Sequence, residues 1–149
     1  MEGRGSDVLL QSLLASLTIF VIFILVSLEH ALLVASMGAT AFIVFASPKS
    51  EAARPKNVLG GHLIGLLSGA PFSLIPHEFL LAFALACSAA VGLSVLLMVL
   101  AKAHHPPASG TALATAVSGI SLGLVLGVLL SSLVMCLAHL LLGRKLRDL

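Results

Sequence analysis

Apolar residues run almost unbroken through 8–28, 31–46, 58–75, 79–101 and 108–142, with polar residues held in short connectors between them. Stretches near twenty apolar residues read as membrane-crossing helices. The last run, 35 residues long, would extend roughly 52 Å as a single helix, against a hydrocarbon core of about 30 Å. Gly119, Gly123, Gly127 and a serine pair around Ile120 mark the place where it bends. The pattern therefore predicts an all-α, polytopic helical membrane protein with about six crossing segments.

Six crossings alternate the connectors between two faces, and the basic residues then sort onto one of them. Arg4, the 47–57 loop with Lys49, Arg54 and Lys56, the connector with Lys102, and the tail with Arg144, Lys145 and Arg147 share a face. The positive-inside rule makes that face cytoplasmic and predicts a multi-pass protein of the cell membrane with both termini inside. A five-span arrangement would put the basic tail outside. The opposite face receives tight turns: Glu29-His30, Pro76-His77-Glu78 and the 119–123 region. The 8–28 run is longer than a usual signal-peptide core and no small-residue cleavage site follows it, so it reads as the first span.

Composition strengthens this picture. Hydrophobic residues make up 59% of the 149 and charged residues only 9%, with a mean hydropathy of +1.17; a soluble domain carries roughly 25% charged residues. The chain reads as one transmembrane domain, 1–149, with no soluble catalytic domain and no enzymatic activity expected. Its net charge of +2 is scattered over connectors and termini, which gives no nucleic-acid surface. Cys87 and Cys136 lie deep in apolar runs and behave as small hydrophobes.

Internal symmetry divides the chain three spans plus three. Half-repeats at 8–75 and 79–142 would be inverted relative to one another, because each holds an odd number of spans. The middle segment of each half is short, and both carry a similar string: Ala35-Ser36-Met37-Gly38-Ala39-Thr40-Ala41, and Ala108-Ser109-Gly110-Thr111-Ala112. Small residues of this kind let membrane helices pack closely. Short or broken segments at matching places in two halves also point to a transporter binding site. Pro106 and Pro107 start a helix whose first amides, those of Ala108, Ser109 and Gly110, are expected to be free and to face an anion with the positive end of the dipole. The hydroxyls of Ser36, Thr40, Ser109 and Thr111 are the accompanying side-chain donors. No Asp, Glu, Lys or Arg falls in the centre of a span, so titratable groups in the membrane reduce to histidine, with an ordinary pKa of about 6.5. His62, after Asn57, Gly60 and Gly61, and His105, at the proline turn, are the candidates. His139 reads as interfacial, His104 as a solvated neighbour of His105, and Glu29, His30, His77 and Glu78 as solvated turn ends or a metal or proton site.

Three motifs in order carry a resemblance covering most of the chain. Ser36-Met37-Gly38-Ala39, Arg54-Pro55-Lys56-Asn57-Val58-Leu59-Gly60-Gly61-His62, and His105-Pro106-Pro107-Ala108 followed by Gly110 and Thr111 are similar to the HPP family of integral membrane proteins. Members of that family in chloroplasts and cyanobacteria are implicated in nitrite transport. The resemblance implies nitrite or a similar small anion as substrate, and adds Gly38, Ala39, Asn57, Gly61, Pro106 and Pro107 to the candidate binding residues.

The expectation is a transporter or channel for a small inorganic anion, bound at helix N-termini near the membrane middle. It would work in the lipid bilayer as a homo-oligomer, with no cofactor or metal. Two alternatives stand beside it: a non-transporting sensor or assembly protein, and a cation or metal transporter using the outer Glu and His residues. The second lacks the buried carboxylates that cation pathways use.

Overall fold

The computed structural model describes residues 2–25, 31–76 and 78–149. Among them the regular structure is helical: α1 (Glu2–Leu25), α2 (Ala31–Ala46), α3 (Pro55–Gly69), α4 (Leu80–Leu100), α5 (Ala108–Ser118) and α6 (Leu122–Leu142). Single 3₁₀ turns stand before and after α3, at Glu51–Ala53 and Ala70–Leu74. Glu29, His30 and His77 of the expected outer turns lie outside the described residues; Glu78 is exposed.

The boundaries follow local chemistry. Proline at the first position of α3 has no amide to lose there, so this helix starts three residues before the apolar run and takes Lys56 and Asn57 into its first turn. Pro71 falls in the 3₁₀ turn that tightens the far end. The long final run breaks at Gly119, whose φ of 77° suits glycine. Ser121 then caps α6 by accepting a hydrogen bond from the amide of Leu124 at 3.1 Å.

α1, α4 and α6 are each long and apolar enough to cross a membrane. Their outer faces carry large exposed side chains, such as Leu9, Leu13, Leu17, Phe20 and Ile24 on α1 and Leu81, Leu85 and Leu96 on α4. Water would not leave so much apolar surface uncovered; lipid would. α5 is different: its 11 residues span only about 16 Å, and it is the inner helix, packed against α2, α3 and α4. The hydrophobic core of larger side chains, including Ile22, Leu33, Met37, Phe45, Val58, Val128 and Met135, joins α1, α2, α3 and α6.

The four basic segments meet at one end of the bundle. Arg147 pairs with Asp7 at 3.2 Å. Leu149 donates its amide to Ala46 O and Lys49 its amide to Asp148 Oδ1. His139 Nε2 donates to Pro48 O at 2.9 Å, and His105 reaches Ala52 O at 2.8 Å. Gln11 ties α1 into this end: its amide donates to Phe45 O and to Arg147 O, and its oxygen accepts from the Arg147 amide. This arrangement puts both termini, the 47–54 loop and the α4–α5 connector on one side, as the six-segment reading requires.

Candidate functional site

The site starts from glycine spacing on α3. Gly61, Gly65 and Gly69 fall four residues apart, on one face of the helix, and a Cβ at any of them would strike α5 or the turn before it. At Gly61 it would lie 2.7 Å from His105 Cβ, at Gly65 3.1 Å from Thr111 Cβ, and at Gly69 it would meet Ala112 O and Thr115 Cβ. The facing residues of α5, Ala108, Ala112 and Ala116, are themselves small and buried. Backbone-to-backbone approach through small residues is the usual way membrane helices pack closely. Here it draws the side chain beside Gly61, that of His62, against Thr111.

Five buried polar side chains then converge. Ser36 Oγ donates to Pro107 O at 2.6 Å and lies 3.1 Å from Thr111 Oγ1. Thr111 Oγ1 is 2.8 Å from His62 Nδ1. Thr40 Oγ1 sits between the two imidazoles, 3.1 Å from His62 Nε2 and 3.0 Å from His105 Nε2, and also within reach of Ser36 O. The rings stand edge to face with centroids 5.0 Å apart. Because Ala52 O can only accept, His105 carries its proton on Nδ1 toward that carbonyl, and its Nε2 is an acceptor when the ring is neutral. All five side chains are essentially sealed from the surface, Ser36 at 5% exposure being the most open.

Thus Ser36, Thr40, His62, His105 and Thr111 come together, with Pro107 contributing its carbonyl. The other candidates serve differently. Gly110 is the close-approach point, where a Cβ would lie 3.1 Å from Ser36 Cβ. Ala108 is the seam residue under Gly61. Ser109 turns to Ser94 Oγ, 3.3 Å away, and Pro106 is exposed. Gly38 and Ala39 are exposed on the opposite face of α2, and a Cβ at Gly38 would meet nothing within 4 Å. Asn57 is buried but spends its amide on Glu51 O at 2.7 Å, closing the loop before α3.

The expectation of free amides at the start of α5 is corrected. Ala108, Ser109 and Gly110 donate to His105 O, Pro106 O and Pro107 O at 2.9, 3.1 and 2.9 Å. The proline pair folds into a tight turn that turns its own carbonyls toward those donors, so an anion there would meet hydroxyls and imidazoles first. In α2 and α3 the cluster lies close to the middle of each helix, at a similar depth from the basic end in both. Thr40 is six residues before the end of α2 and His62 seven after the start of α3, roughly 10 Å from that end at 1.5 Å per residue.

A depression of about 190 Å³ on the α4 side is lined by Val95, Met98, Val99, His104, His105, Pro106 and Ser109 and reaches the edge of the cluster. A larger hollow of about 280 Å³, between α1, α2 and Leu149, holds Gln11 but no member of the cluster. The sequence reading missed two features that position the site. One is the full Gly61/Gly65/Gly69 seam, legible as a four-residue repeat; the other is Gln11, a single amide in an apolar run.

The family description "HPP, transmembrane region" matches residues 2–148. A Dictyostelium discoideum protein named as a transmembrane protein is 35% identical over 106 residues, which cover 67% of this chain and 37% of that relative. Another from the same organism, also named as a transmembrane protein, is 33% identical over 85 residues, 57% of this chain and 27% of its own length. The chain thus matches little more than a third of these relatives at most. No solved structure matches it.

Proposed function

The chain belongs to the HPP transmembrane family, and from that premise we propose that it carries a small inorganic anion, nitrite first among the candidates, across a membrane. The observation that carries this reading is the sealed group of Ser36, Thr40, His62, His105 and Thr111 inside an otherwise apolar bundle. Polar and titratable groups inside a membrane protein are expensive and mark ion pathways. This set offers hydroxyl donors and imidazoles and no carboxylate, which suits an anion and disfavours a cation. The depression beside His105 is the approach from the basic end, which we assign to the cytoplasm on its charge. No covalent chemistry is involved.

The shared string on α2 and α5 supports reading 8–75 and 79–142 as inverted halves, and the two strings approach each other at Gly110, where an added Cβ would lie 3.1 Å from Ser36 Cβ. One short inner helix makes a thin wall for a pathway, so the working unit is a homo-oligomer.

A second reading has an observation of its own. The five side chains are bonded chiefly to one another, as they would be in a static polar core that specifies helix pairing in a sensor or assembly protein. Proteoliposomes containing only this protein separate the two. Transport predicts protein-dependent uptake in a nitrite, nitrate and formate series, with nitrite the fastest. Uptake no greater than in protein-free liposomes for all three anions would leave the static core.

A further inference from the structure

The cluster contains more polar contacts than its neutral side chains have protons to fill. Seven contacts join it: Ser36 Oγ to Pro107 O and to Thr111 Oγ1, Thr40 Oγ1 to Ser36 O and to both Nε2 atoms, His62 Nδ1 to Thr111 Oγ1, and His105 Nδ1 to Ala52 O. Each contact needs one proton, and three hydroxyls with two neutral imidazoles supply five. The carbonyls fix two of them, on Ser36 Oγ toward Pro107 and on His105 Nδ1 toward Ala52. If His62 carries its proton on Nδ1, the single proton of Thr40 faces three acceptors: Ser36 O, His62 Nε2 and His105 Nε2. If it carries it on Nε2, Thr111 donates to His62 and the contact between Ser36 and Thr111 goes unfilled.

One added proton resolves most of this. With His62 protonated on both nitrogens it donates to Thr111 and to Thr40. Thr111 then donates to Ser36 and Thr40 to His105, so that only the contact from Thr40 to Ser36 O is unmade. A second added proton would fill that contact too, but would put two cations with ring centroids 5.0 Å apart in a buried site. The geometry therefore has room for one.

Nothing else nearby is placed to balance that charge. α2 and α5 present hydroxyls to the rings, and α4 carries no charged residue within its bounds. Glu51, on the turn beside Ala52, pairs with Arg54 at 3.4 Å in solvent, and Lys102 and His104 are exposed. Among the described residues the titratable group facing each imidazole is the other imidazole. A lone anion in this site would be an uncompensated buried charge, and so would a lone proton; together they are neutral.

We propose, building on the transport reading above, that the anion travels with one proton held jointly by His62 and His105 through Thr40, so that transport is electroneutral proton–anion symport. The proton reaches the cluster at His105, which lines the depression near the basic end.

The test uses the purified protein in proteoliposomes, with nitrite as probe, a potassium gradient with valinomycin to set the membrane potential, and an independent pH gradient. Nitrous acid leak is subtracted with protein-free vesicles. Symport predicts that protein-dependent nitrite uptake is driven by an inward proton gradient and is unchanged by the potential. His62→Gln and His105→Gln should lose the dependence on the proton gradient. Uptake that follows the potential and ignores the pH gradient overturns the coupling while leaving anion transport standing. No protein-dependent uptake overturns both. A readout free of flux comes from adding nitrite to detergent-solubilised protein in weak buffer. One proton taken up per anion bound supports the proposal, and binding without proton uptake overturns it.

Discussion

Thr40 shows how much one hydroxyl does in this molecule. It sits between two imidazole nitrogens and above the Ser36 carbonyl, so Thr40→Val, close in shape, strips both rings of a partner in a sealed site. Leaving buried polar atoms unpaired costs roughly 1–3 kcal/mol, and thermal unfolding in detergent should show a loss of that size. An unchanged midpoint would mean the rings repair their bonds elsewhere. The string from Ala35 to Ala41 was legible in the sequence as a candidate site, but its residues divide by helix face. Ser36 and Thr40, four apart, point inward, whereas Gly38 and Ala39 point out. Hydropathy cannot make that division, because every residue in the string is small or apolar.

At the scale of helices, the seam between α3 and α5 positions the site. Gly65→Val would drive its Cβ against Ala108 O and within 3.1 Å of Thr111 Cβ, and overpacking of this kind costs about 1–3 kcal/mol or more where backbone must move. Size-exclusion chromatography of Gly65→Val should show loss of the folded species, whereas Gly38→Val, with open space at its Cβ, should elute like the parent. Equal behaviour of the two variants would contradict the seam. The spans themselves were readable from apolar runs, and the break at Gly119 from a run too long for one crossing. The contact of His62 with Thr111 was not, since it depends on which small faces meet. The bonding of the Ala108, Ser109 and Gly110 amides was missed because two consecutive prolines suggested an open helix start, while the turn they form supplies its own acceptors.

For the whole molecule, the gathering of the termini and the 47–54 loop at one end means that single cysteines at Ser50 and Leu149 should respond together. In intact cells both should resist a membrane-impermeant thiol reagent, and both should label after permeabilisation. Labelling of one but not the other from outside would break the arrangement. Basic residues carried this sidedness in the sequence, because Lys and Arg in connectors are read against the apolar runs around them; the bonds from Gln11 and Leu149 that hold that end together were invisible there. The central claim, that the Ser36/Thr40/His62/His105/Thr111 cluster is where the anion passes, is tested most directly by protein-dependent nitrite flux for Ser36→Ala and Thr111→Val. Both variants should be reconstituted at parent levels, with Gly38→Ala as the control on the outer face of α2. The account predicts that Ser36→Ala and Thr111→Val lose most of the flux while Gly38→Ala keeps it. Parent-rate flux in both cluster variants would contradict it.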